Sequence, residues 1–147
     1  MKTLIINGTL VSGSKIEKGI NLLVEDGLLV SMERDLTVEA DMVIDAKGLY
    51  ILPGLVDAHC HLRDPGFEYK EDIASGTKSA ARGGFTSIAC MPNTNPPIDN
   101  VATVRYVIEK SMREGCVNVY PIGAITKGLE GMELAEMAIM KEAGIVA

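Results

Sequence analysis

The chain contains no tryptophan, and aromatic residues make up only 4% of it. That leaves little material for a platform on which nucleic-acid bases stack. Basic residues are also short: 14 Lys and Arg stand against 20 Asp and Glu, for a formal net charge of −6 and a pI of about 4.9. A phosphate-binding surface needs the opposite balance, so nucleic acid is excluded as a partner class. No apolar run approaches the roughly 20 residues of a membrane-spanning helix. The opening Met1–Gly8 has too short an apolar run, and no small-residue cleavage site, for a secretory signal. Three cysteines without paired spacing do not form a disulfide framework. These absences together read as a reduced, cytoplasmic protein. What remains is ordinary for a globular fold: 147 residues, 47% of them apolar and 23% charged.

Histidine is the last scarcity and the most informative. There are two, His59 and His61, within Asp57-Ala58-His59-Cys60-His61-Leu62-Arg63. The apolar stretch Leu49–Val56 before them reads as the start of a buried strand. Alternation along a strand places Asp57, His59, His61 and Arg63 on one face, and Ala58, Cys60 and Leu62 on the other. A pair of imidazoles on one strand face points to metal more than to two core histidines. A catalytic zinc takes about three protein ligands and keeps one position open. Asp57 would stand behind that pair, and Cys60 would pack against a helix.

The chain changes style near Pro53-Gly54. Residues 1–52 read as a small β-module. Thr3–Asn7 and Thr9–Ser12 flank Gly8, Asn21–Val24 and Leu28–Met32 flank the hairpin signal Glu25-Asp26-Gly27, and Met42–Ile44 is a further short run. Residues 53–147 alternate strands and helices. Strands are predicted over Leu55–Leu62, Thr86–Met91 and Val117–Ile125. Helices are predicted over Lys70–Arg82, from an Asp99 or Asn100 cap to Glu114, and over Met132–Glu142. Ile145–Ala147 reads as the opening of another strand. The pattern is α/β: about three βα units and the start of a fourth, as in part of a (β/α)8 barrel. A complete barrel takes about 250 residues, so the chain reads as the amino-terminal part of a longer protein.

Two loops that follow predicted strands carry the remaining chemistry. Arg63 opens the first, and its planar fork suits a carboxylate. The alternative is a surface salt bridge with Asp64 or Glu68. The second is Met91-Pro92-Asn93-Thr94-Asn95-Pro96-Pro97, stiffened by proline. Asn93 both donates and accepts hydrogen bonds, which suits an amide or imide ring. The alternative is that Asn93 and Asn95 only brace the turn. Lys78 and Arg82 read as solvated, the eight methionines as core filler, and the glycines show no phosphate-cradling spacing.

Pro53-Gly54-Leu55-Val56-Asp57-Ala58-His59-Cys60-His61 resembles the entry motif of the amidohydrolase superfamily. With Leu62-Arg63-Asp64-Pro65-Gly66 and the Met91–Pro97 loop added, the chain resembles the bacterial dihydroorotase family along its whole length. Hydantoinases share the His-x-His but usually lack the Arg–Pro–Gly continuation, and allantoinases tend to carry another residue where Arg63 stands. The resemblance implies a (β/α)8 barrel with a small β-sandwich built from both chain ends. It implies one or two zinc ions, with His59 and His61 as the first ligand pair and Asp57 behind them. It places Arg63 and Asn93 on the substrate, together with His61, with Arg63 on the substrate carboxylate. The implied reaction is the reversible hydrolysis of dihydroorotate to N-carbamoyl-L-aspartate, in pyrimidine biosynthesis. The other metal ligands and a catalytic Asp are expected beyond Ala147, so the chain alone is expected to be inactive and to bind zinc weakly. The alternatives are another cyclic-amide hydrolase and a non-catalytic scaffold. A homo-oligomer or a complex with aspartate transcarbamoylase is the partner that the resemblance implies.

Overall fold

A computed structural model describes all 147 residues. The chain divides into two compact units, Met1–Pro53 and Gly54–Ala147.

The first unit is one mixed sheet. Strands β1 (Lys2–Ser12), β2 (Lys15–Glu25) and β3 (Leu28–Glu33) form an antiparallel meander. The β2–β3 turn is made by Asp26 at φ 48° and Gly27 at φ 82°. Two successive positive φ values match the right-handed twist of the flanking strands, which is why Asp-Gly stands there. A bulge between Ile5 and Thr9, with Asn7 at φ 62°, divides the free side of β1. Its first half pairs in parallel with β4 (Met42–Asp45) and its second half with β5 (Tyr50–Ile51). Leu4, Ile20, Leu22, Leu23 and Ala46 are buried, while Leu28, Leu29, Val43 and Tyr50 are exposed. One sheet is present, so the second layer of the expected sandwich is not formed by these residues. Two strands differ from the sequence expectation. The run Lys15–Gly19 is polar, and pairing with β1 makes it strand regardless. Tyr50–Ile51 belongs to this sheet rather than to the histidine strand.

The second unit alternates strand and helix as expected. It comprises β6 (Leu55–Cys60), α1 (Ile73–Arg82), β7 (Phe85–Cys90), α2 (Val101–Glu114), β8 (Asn118–Pro121), a short 3-10 turn at Lys127–Leu129 and α3 (Met137–Ala143). The three strands form a parallel sheet in the order β6-β7-β8. Helix α1 starts on a reciprocal cap. The Asp72 carboxylate accepts the Ser75 N–H at 2.7 Å, and the Ser75 hydroxyl accepts the Asp72 N–H. Asn100 caps α2 by accepting the Thr103 N–H at 3.0 Å. Ile73, Ile88, Ile98, Val104, Val107 and Met140 pack between helices and sheet. Ile73 is fully buried, which contributes about 1.5–3 kcal/mol to folding.

The structure corrects three expectations in this unit. Strand β6 is not buried: Leu55 and Val56 are exposed, because the helices of this unit pack on β7 and β8 rather than over β6. Helix α3 begins at Met137 rather than Met132, because Thr126 and Leu134 pair in a bridge that holds the preceding residues in a loop. Residues 145–147 are not a regular strand. Their backbone nevertheless runs beside the end of β8, with the Val146 N–H donating to the Pro121 carbonyl and the Gly123 N–H to the Ala147 carbonyl.

Candidate active site

The site residues lie where the first two parallel strands release their chains. Strand β6 ends at Cys60, and the Met91 N–H then donates to the Cys60 carbonyl at 2.9 Å, so the loops after β6 and β7 leave side by side. They remain together. The Asn95 N–H donates to the Pro65 carbonyl at 2.9 Å. Gly66 adopts φ 92°, and a Cβ there would collide with the Asn95 carbonyl. The Pro65-Gly66 pair is therefore what allows the Asn93 loop to approach.

His59 and His61 both project from the end of β6 and are exposed, with ring centroids 5.4 Å apart. Their common face agrees with alternation. His61 Nδ1 lies 2.8 Å from Asn93 Oδ1. A carboxamide oxygen only accepts, so Nδ1 donates this hydrogen bond and Nε2 is not engaged by it. This is how an outer hydrogen bond fixes the tautomer of a metal-ligating histidine. The His61 ring is thus oriented by Asn93, while the His59 ring makes no hydrogen bond. Their number falls short: no group of three His, Cys, Asp or Glu residues converges in this chain, and a catalytic zinc takes about three.

The Asp57 carboxylate binds backbone and Arg63 lies past the strand, so neither contacts an imidazole ring. The β6–β7 register slips between Asp57 and Cys60. The Asp57 carboxylate folds back to accept the His59 N–H at 2.9 Å, so it braces the backbone of β6 rather than an imidazole ring. It also stands near the Cys60 thiol. Burial, and then the Asp57 charge, push that thiol up to about 11. Burial and then Cys60 push the Cys90 thiol up to about 12. Both cysteines stay protonated at neutral pH and are poor metal ligands. Arg63 lies past the strand, with φ 63°. Its neighbours Leu62 and Asp64 are buried while it is only half-buried. Arg63 makes no ion pair. The salt-bridge alternatives fail for a specific reason: Asp64 pairs with Lys110, and Glu68 accepts the Gly66 N–H. Asn95 contributes backbone bracing only, whereas the Asn93 side chain reaches His61.

Sequence reasoning does not reveal a polar cluster behind Arg63. Asp64, 1% exposed, accepts from the Ile73 N–H at 3.2 Å, the Tyr106 hydroxyl at 3.0 Å and the Lys110 ammonium at 2.8 Å. The hydrogen bond to Asp64 pushes the Lys110 ammonium well above the usual lysine range. Burial pushes the Tyr106 hydroxyl up, against the opposing pull of Lys110. Tyr106 and Lys110 stand one helical turn apart on α2, which the sequence does show. Their partner 42 residues upstream of Tyr106 it does not.

The second unit thus sets two histidines, an arginine and a carboxamide at or just after the ends of parallel strands of a β/α fold. Solved structures share this fold. The chain is similar to the L-hydantoinase (dihydropyrimidinase) from Arthrobacter aurescens, with 29% identity and a TM-score of 0.87 over 97% of this chain and 31% of that one. It is also similar to a D-hydantoinase, with 32% identity and a TM-score of 0.74 over 86% and 28% of the two chains. The sequence narrows this further. The dihydro-orotase-like family model matches residues 48–147, and the chain belongs to that family. It is 55% identical to a dihydroorotase of Ruminiclostridium cellulolyticum over all of this chain and 35% of the relative. It is 57% identical to one of Acetivibrio thermocellus over 98% of this chain and 34% of the relative. The chain spans about a third of the length of these curated relatives.

Proposed function

We propose that this chain is the amino-terminal part of a cytoplasmic dihydroorotase. It would supply one wall of a zinc site in a (β/α)8 barrel and act in pyrimidine biosynthesis. The observation that carries the reading is the His61–Asn93 hydrogen bond, tying together the two strand-end loops, one of which carries Arg63 without an acidic partner. It joins a metal-type donor, a carboxamide and a free guanidinium at one end of one sheet. Family membership and the identity to dihydroorotases support it.

In the reaction, water adds to the ring amide carbonyl, the carbon–nitrogen bond breaks, and the released nitrogen takes a proton. His59 and His61, with ligands from outside these residues, would hold a zinc ion, which would supply Lewis-acid chemistry for the carbonyl and the water. Asp57 keeps His59 in place through its backbone. Asn93 fixes the ring of His61 and faces the substrate. Arg63 pairs with the carboxylate that dihydroorotate and N-carbamoyl-L-aspartate both carry. No acid–base carboxylate for the proton transfer is found among His59, His61, Arg63 and Asn93, so that role falls outside these residues.

The hydantoinase-like structures favour a second reading, a cyclic-amide hydrolase acting on rings without a carboxylate. A substrate panel on the complete polypeptide separates the two. Turnover of dihydroorotate in preference to hydantoin, dihydrouracil and allantoin is expected. Preference for hydantoin would replace this assignment with the second.

A further inference from the structure

Arg63 and Asp64 are neighbours in sequence, opposite in charge, and not paired. That needs an explanation. A long arginine stem reaches the carboxylate of the next residue in this protein, as Arg113 does with Glu114 at 3.3 Å. A buried carboxylate without a counter-ion is costly and draws any cation within reach.

What occupies Asp64 is on helix α2. The Lys110 ammonium sits 2.8 Å from Asp64 Oδ2, the Tyr106 hydroxyl 3.0 Å from Oδ1, and Lys110 Nζ 3.3 Å from the Tyr106 oxygen. The Ile73 N–H at the start of α1 adds a fourth tie. The Asp64 side chain has no exposed surface, and the Lys110 side chain keeps 17%. No buried side-chain nitrogen or oxygen is left without a partner. The carboxylate is saturated from the helix side, while Arg63, at φ 63° between two buried residues, stays half-buried and makes no ion pair.

We propose that Lys110 is a positioning residue: by neutralising Asp64 it keeps the adjacent Arg63 guanidinium free to receive an anionic ligand. That the ligand is the dihydroorotate carboxylate rests on the function proposed above. The role of Lys110 in freeing Arg63 does not. Loss of the Lys110 charge leaves Asp64 as the nearest unpaired anion, and Arg63 turns to it. Loss of both charges leaves nothing to capture Arg63.

The test combines side-chain NMR of Arg63 with kinetics, on the complete polypeptide labelled with 15N-arginine. In the wild type, the Arg63 Nε–H exchanges rapidly with solvent. In Lys110→Met it becomes protected, and the KM for dihydroorotate rises about tenfold or more while kcat changes little. The rate on dihydrouracil, the same ring without a carboxylate, is unchanged. In Asp64→Asn/Lys110→Met, exchange and KM return to within about threefold of wild type. Lys110→Arg keeps the pair and behaves as wild type. Lys110→Gln removes the charge but keeps a donor, and gives the same capture if the methionine variant fails to fold. A protein in which Arg63 exchanges equally fast with and without the Lys110 charge overturns the proposal. So does a double variant as impaired as the single one, which is the behaviour of a purely structural pair. A wild type inactive on dihydroorotate would remove the functional reading, and the NMR arm alone would then decide this one.

Discussion

The two units of this chain solve the same problem, burying an apolar sheet face, in different ways. Only one of them holds the candidate site. In Met1–Pro53 an antiparallel meander leaves much of its apolar surface open: Leu28, Leu29, Met42 and Val43 are at least 49% exposed. In Gly54–Ala147 helices lie against a parallel sheet, and Ile73, Ile98, Val104, Val107 and Met140 reach full burial. Parallel strands also release their loops at one end. His61 and Asn93 meet there, and Arg63 lies on the loop that follows His61, as strand-end residues do in β/α folds generally. A meander sends alternate turns to opposite ends and gathers no such group. The second unit therefore combines a helix-covered core with loops that leave one end of its sheet together, although β6 itself stays exposed at Leu55 and Val56.

The comparison can be broken most strongly in the core. Ile73→Ala empties a fully buried position and is expected to cost about 2–5 kcal/mol. Leu29→Ala, at 57% exposure, is expected to stay within about 0.5 kcal/mol. Urea unfolding followed by circular dichroism reads both. Equal losses would mean that the open face of the first unit is packed in solution.

A second effect separates the units by pH. Lys110 has its affinity for protons raised by Asp64 in the folded state. Its contribution is therefore complete below the unfolded lysine value of about 10.4, and is lost as pH rises through the higher folded value. The stability difference between wild type and Asp64→Asn/Lys110→Met is expected to hold from pH 7 to about 10 and then shrink. It sits on an alkaline fall that both proteins share, because burial also holds the Cys60 and Cys90 thiols protonated in the folded state. A double variant with the same alkaline profile would remove the pair from the account.

Smaller is the turn of the first unit. Gly27, at φ 82° with open space where a methyl group would stand, tests conformation without packing. Gly27→Ala is expected to cost about 1–2 kcal/mol, confined to the first unit. Amide hydrogen exchange would locate the loss, and protection lost in α1 or α2 would contradict that confinement.

How much of this is legible in the sequence depends on how local each cause is. The Asp-Gly hairpin, the caps at Asp72 and Asn100, and the His-x-His pair are written within a few residues, and their physics acts over the same span. The Asp57 contact is not written in the strand pattern: its carboxylate accepts the His59 N–H where the pairing with β7 slips. Arg63 lies beyond the reach of alternation, which stops where the strand stops, one residue before His61. The Lys110–Asp64 pair is invisible in the sequence because its members stand 46 positions apart and are joined only when α2 packs beside the loop. The salt-bridge alternative for Arg63 fails for the same long-range reason.

The central claim is that the loops after β6 and β7 form one carboxylate-reading wall of a cyclic-amide site. Its most direct test is the ratio of kcat/KM for dihydroorotate to that for dihydrouracil, measured on the complete polypeptide and on its Arg63→Met variant. Loss of a charge-assisted pair costs about 2–5 kcal/mol, so the ratio is expected to fall by roughly 30-fold to several thousand-fold. The same ratio in both proteins would contradict the claim.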